Sequence, residues 1–262
     1  MSNDNKSTRQ YVLSPAAGKR LIAGSLLHIP SILEALTSRT IVIVAGTTNG
    51  YVAEEFLSRI GQASDFSRKR FFRGITLPPG YNTNDTGRLN DESLFPGDVV
   101  IVNGKWEKGK TIFDVAGSLE KGDIVIKGAN AINLDNMQAA IYIGHPSGGT
   151  IGVALQAVVG RRVELYLPVG LEKRISGDIS RIAWKLNSAN ASGPRYLPVS
   201  GNIVTELEAI KMMTGAEAEL VAAGGVCGAE GSCWIAVTGN KEQLDSAGEL
   251  VKSVSSEPNF ML

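Results

Sequence analysis

The feature that most constrains this chain is a set of short, continuous aliphatic runs, each delivered into a glycine-bearing turn. "IVIVAGTTNG" covers residues 41–50, "DVVIVNG" starts at Asp98, "DIVIKGANAI" at Asp123 and "VELYLPVG" at Val163. The runs are too short for stable helices and do not alternate with polar residues. They read as strands buried on both faces, the pattern of a parallel sheet covered by helices on each side. Helical segments stand between them. "SPAAGKRLIAGSLLHI" opens on Ser14 and Pro15, an N-cap and the residue best tolerated at the first helical position, "SILEALTS" follows Pro30, and Val52, Phe56, Leu57 and Ile60 recur at helical spacing. The expected fold is α/β, with a Rossmann-like, mainly parallel sheet and helices on both faces.

Beyond Lys173 the pattern changes. "GDISRIAWKLNSA" reads as a helix, "GPRYLPVSG" as a strand, and "TELEAIKMMTG" as a helix stopped by Gly215. "AELVAAGGV" and "SCWIAVTG" form a hairpin pattern, and "NKEQLDSAGELVKSV" a capped final helix. That order suits a smaller α+β, ferredoxin-like lid. The expected organisation is a polar N-terminal segment over 1–14, a Rossmann-like ligand-binding domain over 15–175 and a lid over 176–262. Residues 71–91, rich in Pro, Gly, Asn and Asp, are long for a connector and are expected to shape a site.

Charge narrows the function. Lys plus Arg equals Asp plus Glu at 26 each, and no block of like charge forms, so a nucleic-acid partner is not expected. No stretch approaches the roughly 18 apolar residues of a membrane span, and the polar start lacks a signal-peptide core. No membrane partner is expected, and the expected location is cytoplasmic. Cys227 and Cys233 are separated by five residues, and His28 and His145 are the two histidines available to help. That spacing does not suit a structural zinc, so no metal site is expected. A cysteine pair facing across the hairpin is expected instead, without a disulfide in a reducing compartment.

Three turns carry candidate chemistry, because ligands of open α/β sheets lie beyond the carboxyl ends of the strands. The first offers Gly46, Thr47, Thr48 and Asn49 ahead of a helix, a site suited to an anion. The same residues could simply cap that helix. The second repeats the chemistry with Ser147, Gly148, Gly149 and Thr150, beside His145, which could donate to an anion. The third, "KGANAI", sets Lys127, Gly128 and Asn130 at a strand end. There an ammonium needs solvent, a carboxylate or a bound anion. Neither a P-loop nor a Gly-x-Gly-x-x-Gly turn occurs, so no cofactor is expected. The expected partner is a small anionic molecule, and a homo-oligomer stays open.

In chain order these turns resemble the ribose-5-phosphate isomerase A, CoA transferase and translation-initiation-factor-2B-like superfamily, the NagB/RpiA-like fold. The match rests on "AGTTNGYVAEEFL", on "KGANAI" with "GGTIGVALQ" downstream, and on "VELYLPVGLEK". The resemblance implies phosphate binding at Gly46, Thr47 and Thr48, and isomerase-type or transferase chemistry on a sugar phosphate or CoA-like substrate. It also implies an acidic catalytic segment where this chain carries Asn130 and Asn133, amides that cannot act as general bases. Two functions are therefore carried forward. One is an enzyme in which Lys127 polarises a carbonyl and Asp135, Glu206 or Glu208 carries protons. The other is a metabolite-binding or regulatory module without the acids.

Overall fold

A computed structural model describes residues 6–74, 76–77, 80–81 and 95–261. Of the stretch expected to shape a site, residues 75, 78–79 and 82–91 lie outside the described residues. Along the chain, β1 (Ser7–Leu13) leads into α1 (Pro15–Leu26), α2 (Pro30–Ser38), β2 (Thr40–Ile43) and α3 (Thr47–Arg59). Next come β3 (Val99–Val102), β4 (Lys105–Trp106), α4 (Ile112–Val115), β5 (Ile124–Ile126), β6 (Ala131–Asn133), β7 (Gln138–Ile143) and α5 (Gly149–Arg161). Then follow β8 (Glu164–Pro168), α6 (Ile179–Leu186), β9 (Arg195–Val199), β10 (Asn202–Val204), α7 (Glu206–Thr214), β11 (Glu217–Ala223), β12 (Cys233–Gly239) and α8 (Lys241–Val254).

The protein is mixed α/β. Its six-stranded sheet has the order β10-β8-β5-β2-β3-β4. Strands β10, β8, β5 and β2 run parallel, whereas β3 is antiparallel to β2 and β4 antiparallel to β3. The run at 98–104 therefore does not extend the parallel array. Asn103 and Gly104 both take positive φ, at 48° and 77°, the two-residue turn that sends a strand back on itself.

Both faces of the sheet are covered, as continuous apolar strands demand. Ile41, Ile43, Ile101, Ile124 and Ile126 pack with Leu26, Leu36, Phe56 and Leu57 from α1, α2 and α3. The alternate residues Val42, Val100, Val125, Leu165 and Leu167 pack with Ile112 of α4 and Ile151, Ala154 and Ala157 of α5. Each fully buried aliphatic side chain contributes about 1.5–3 kcal/mol, so this double layer dominates the stability.

Two three-stranded antiparallel sheets flank the central one, with orders β1-β12-β11 and β6-β7-β9. Residues 7–13, expected as a polar segment outside the folded domains, form a strand along the full length of β12. There Leu13 joins Ile235, Val237, Ile210 and Leu244 in a third core. Backbone pairing of β9 with β7 and of β10 with β8 also carries hydrogen bonds across residue 175. The expected β11–β12 hairpin is present, and Asn240 caps α8 by accepting from Gln243 N–H at 2.9 Å. Among the described residues, no single helix is long and apolar enough to cross a membrane.

Candidate functional site

The carboxyl ends of β2 and β5, the loop after β7 and the first turns of α3 and α5 enclose a cleft of about 1470 Å³. It brings the three sequence turns together. Gly46, Thr47 and Thr48 line it, as do Lys127, Gly128 and Asn130, and His145, Gly148, Gly149 and Thr150. The N-cap residues of α3 and α5 are Gly46 and Gly148, and neither supplies a side-chain cap. Helices α1, α6, α7 and α8, by contrast, are each capped by a side chain, from Ser14, Asp178, Thr205 and Asn240. The first-turn N–H groups of α3 and α5 thus keep the unsatisfied donors and positive dipole end that attract anions. Glycine is required at the second turn, where Gly148 and Gly149 hold φ of 81° and 59°.

Four cations stand on the cleft wall, namely Lys19, Arg73, Lys127 and Lys173, and no Asp or Glu among the described residues lines it. Three of the four are anchored. Lys19 Nζ donates to Glu172 Oε1 at 2.7 Å, and Lys173 Nζ to the Ala129 carbonyl at 3.0 Å. Arg73 Nη1 donates to Asp98 Oδ1 at 2.6 Å, leaving its Nε and Nη2 buried without a partner. Asp98 is fully buried and organises the region. Its Oδ1 also accepts from Ala45 N–H at 2.9 Å, and its Oδ2 accepts from Ile112 N–H at 2.8 Å.

Among the described residues the Lys127 side-chain nitrogen has no hydrogen-bond or ion-pair partner. Burial pushes its ammonium down to about 8, helped by Arg73 and Lys173 and opposed by Asp98. Lys173 is likewise lowered by burial, with Lys19 adding to the effect and Glu172 opposing it. Further unsatisfied groups are Thr48 Oγ1 and Tyr51 Oη, on residues that are 1% and 0% exposed and line the cleft. The Arg20 and Arg68 guanidinium groups both lie over the Tyr51 ring, 4.8 and 4.5 Å from its centroid. Glu257 accepts from both arginines, at 2.9 and 3.0 Å, and the chain then runs to Phe260 on the cleft rim.

Several residues expected at the site serve elsewhere. Asn49 is fully buried and turned from the cleft, its Nδ2 donating to the Val44 carbonyl at 2.6 Å and the Ile126 carbonyl at 3.0 Å. It ties the ends of β2 and β5 together. Ser147 is exposed and does not line the cleft, although its N–H donates to His145 Nδ1 at 3.2 Å. Asp135 is exposed in the β6–β7 turn, where Asn133 Oδ1 accepts its N–H at 2.9 Å. Glu208 closes a capping box with Thr205 at the start of α7.

Glu206 lies behind the wall. Its Oε2 accepts from Leu171 N–H at 2.9 Å, and it packs so closely on Gly18 that any side chain there would collide with Oε1. Burial, reinforced by Glu172, pushes this carboxyl up to about 8. The cysteines do not face each other across the hairpin. Cys233 is buried opposite Ala223 in the sheet, while Cys227 is exposed in the loop, and both are free.

The sequence alone does not point to Arg73, Lys173, Lys19, Tyr51 or Asp98 as site residues. Asp98 carried a usable signal, since "GDVV" repeats as "GDIV" at 122–125. Asp123 does the same work there, accepting from Thr40 N–H and Glu120 N–H at 2.8 Å. Lys19 and Lys173 had no such signal, because their meeting at the cleft depends on how α1 and the segment after β8 pack. Comparison with protein-family models, curated proteins and solved structures yields no significant match.

Proposed function

We propose that the chain binds a phosphorylated or otherwise anionic small metabolite in this cleft, as a divergent NagB/RpiA-like protein with a Rossmann-like domain and a C-terminal lid. One observation carries the reading: of the four cations on the wall, Lys19 and Arg73 are paired with Glu172 and Asp98 behind it, whereas Lys127 and Lys173 form no ion pair among the described residues, and no described carboxylate lines the cleft. Buried cations without an ion-pair partner are costly, and an anionic ligand removes that cost. The uncapped starts of α3 and α5 add donors aimed at the same space. Phe113, Ile141, Tyr142 and Phe260 supply an apolar side, and the volume exceeds the roughly 300–1,000 Å³ of ordinary small-molecule pockets, which suits a ligand of nucleotide or CoA-ester size.

Binding is favoured over carboxylate-based isomerisation. Asp135, Glu206 and Glu208 lie off the wall. Asn130 stands on it with its side-chain oxygen accepting Tyr142 N–H at 3.0 Å, a group that orients ligand but takes no proton. The test is a thermal-shift screen of sugar phosphates, nucleotides and CoA esters. A ligand at about a hundred times its Kd stabilises by about 2.7 kcal/mol, a rise of several degrees for a chain of this size. A screen in which no anion raises the melting temperature, while neutral analogues do, rejects the reading.

A further inference from the structure

We propose that Lys127 is an imine-forming residue, its side-chain amine attacking the carbonyl carbon of an aldehyde or ketone whose anionic group is held at the starts of α3 and α5. This rests on the anion-binding reading and names the substrate class more narrowly.

The cleft cations fall into two groups. Lys19, Arg73 and Lys173 are each committed to a protein acceptor at 2.7, 2.6 and 3.0 Å, so their positions are set and they act as fixed charge. Lys127 alone among these four has no described partner. It follows directly on β5, so its backbone is fixed by the sheet, its N–H donating to the Tyr166 carbonyl at 2.9 Å. A side chain on a rigid base, facing a cleft and bonded to nothing, is placed to react rather than to brace. Burial beside Arg73 and Lys173 supports this by lowering the ammonium to about 8. On that value about a tenth of the amine is neutral at pH 7, against less than about a thousandth for an ordinary lysine. Desolvation and a neighbouring cation are the two recognised ways of activating a lysine nucleophile.

The step balances without an oxidant or reductant. The amine nitrogen bonds to the carbonyl carbon while the carbonyl π pair moves to oxygen. A proton passes from nitrogen to that oxygen, giving a carbinolamine. The nitrogen lone pair then expels the hydroxyl, which leaves as water with a proton from solvent, and a protonated C=N bond remains that still carries the N–H proton. The fixed cations neighbouring Lys127 would stabilise the oxyanion as it forms.

Pyridoxal 5′-phosphate is a suitable probe because it carries both an aldehyde and a phosphate. The full-length protein is treated with it, reduced with sodium borohydride, digested and mapped by mass spectrometry, with phosphate binding measured in parallel by calorimetry. The expected result is reduced adduct on the Lys127 peptide, on the order of tenfold or more above any other lysine as its larger neutral fraction requires, with protection by excess inorganic phosphate. Adduct spread over several lysines, concentrated on Lys173, or unprotected by phosphate overturns the proposal. If calorimetry shows phosphate binding while Lys127 stays unlabelled, the imine chemistry fails and the anion site stands. If neither is seen, both fail. Lys127→Arg keeps a cation in the cleft and should abolish the adduct. The mapping in the wild-type protein decides the matter even if that variant does not fold.

Discussion

Lys173 Nζ donates to the carbonyl of Ala129 at 3.0 Å, which fixes a second ammonium beside the turn that carries Lys127, two residues away along the backbone. The contact joins the segment after β8 to the end of β5 and makes the electrostatics of Lys127 depend on a residue far away in sequence. Lys173 lowers the Lys127 ammonium, so replacing it by an apolar residue of similar length has a defined sign. In Lys173→Met the midpoint of the pH profile for Lys127 modification should move upward, read by adduct yield between pH 6 and pH 10. A downward or absent movement separates the two lysines.

Asn49 is a structural tie rather than a ligand group. Asn49→Ala removes the donor for two buried carbonyls, those of Val44 and Ile126. The expected loss is about 2–4 kcal/mol of unfolding free energy, measured by urea denaturation.

Thr48 behaves in the opposite way. Its Oγ1 is buried and unpartnered on the cleft wall, so nothing in the fold depends on it. Thr48→Val, close to isosteric, should leave stability within about 0.5 kcal/mol of wild type or raise it slightly. Anion affinity should weaken by about 0.5–1.5 kcal/mol, the worth of one neutral hydrogen bond. A large stability loss would place the hydroxyl in the fold instead.

The central sheet and the three turns were legible because they depend on local signals. Aliphatic runs of four or five residues demand burial on both faces, and the glycines mark where strands stop. The turn of β3 into β4 is written in the Asn103–Gly104 dipeptide, a hairpin signal that outweighs the resemblance of this run to the parallel strands. Placement of β1 was not legible, since a polar heptapeptide becomes a strand only because β12 offers a paired edge. The same holds for the site. Lys127 follows directly from its strand, but Arg73 reaches the cleft through Asp98, and Lys19 through Glu172. Asn49 and Thr48 are adjacent in one turn, yet the first faces inward to two carbonyls and the second faces the cleft, a difference set by helix phase after Gly46.

Glu206 sets a pH dependence. Its folded value, about 8, lies above the ordinary carboxylate range because of burial and the charge of Glu172, with Lys19 partly opposing. The folded protein therefore holds a proton that the unfolded chain releases. Its contribution to stability is fully present below about pH 4.5 and is lost as pH rises toward 8. Glu206→Gln keeps an acceptor for Leu171 N–H and removes the titration. The variant should gain on wild type progressively across pH 5 to 8, as urea unfolding at a series of pH values would show. A constant difference across that range contradicts the assignment.

The most direct test of the anion site is the calorimetric affinity of the tightest-binding anion from the ligand screen, measured for wild type and Lys127→Ala. Loss of a charged hydrogen bond predicts about 1.5–3 kcal/mol weaker binding, roughly ten- to a hundredfold or more in Kd, with the melting temperature of the unliganded variant not falling. Equal affinities for the two proteins would contradict the account and leave the turns at Gly46 and Gly148 as helix starts alone.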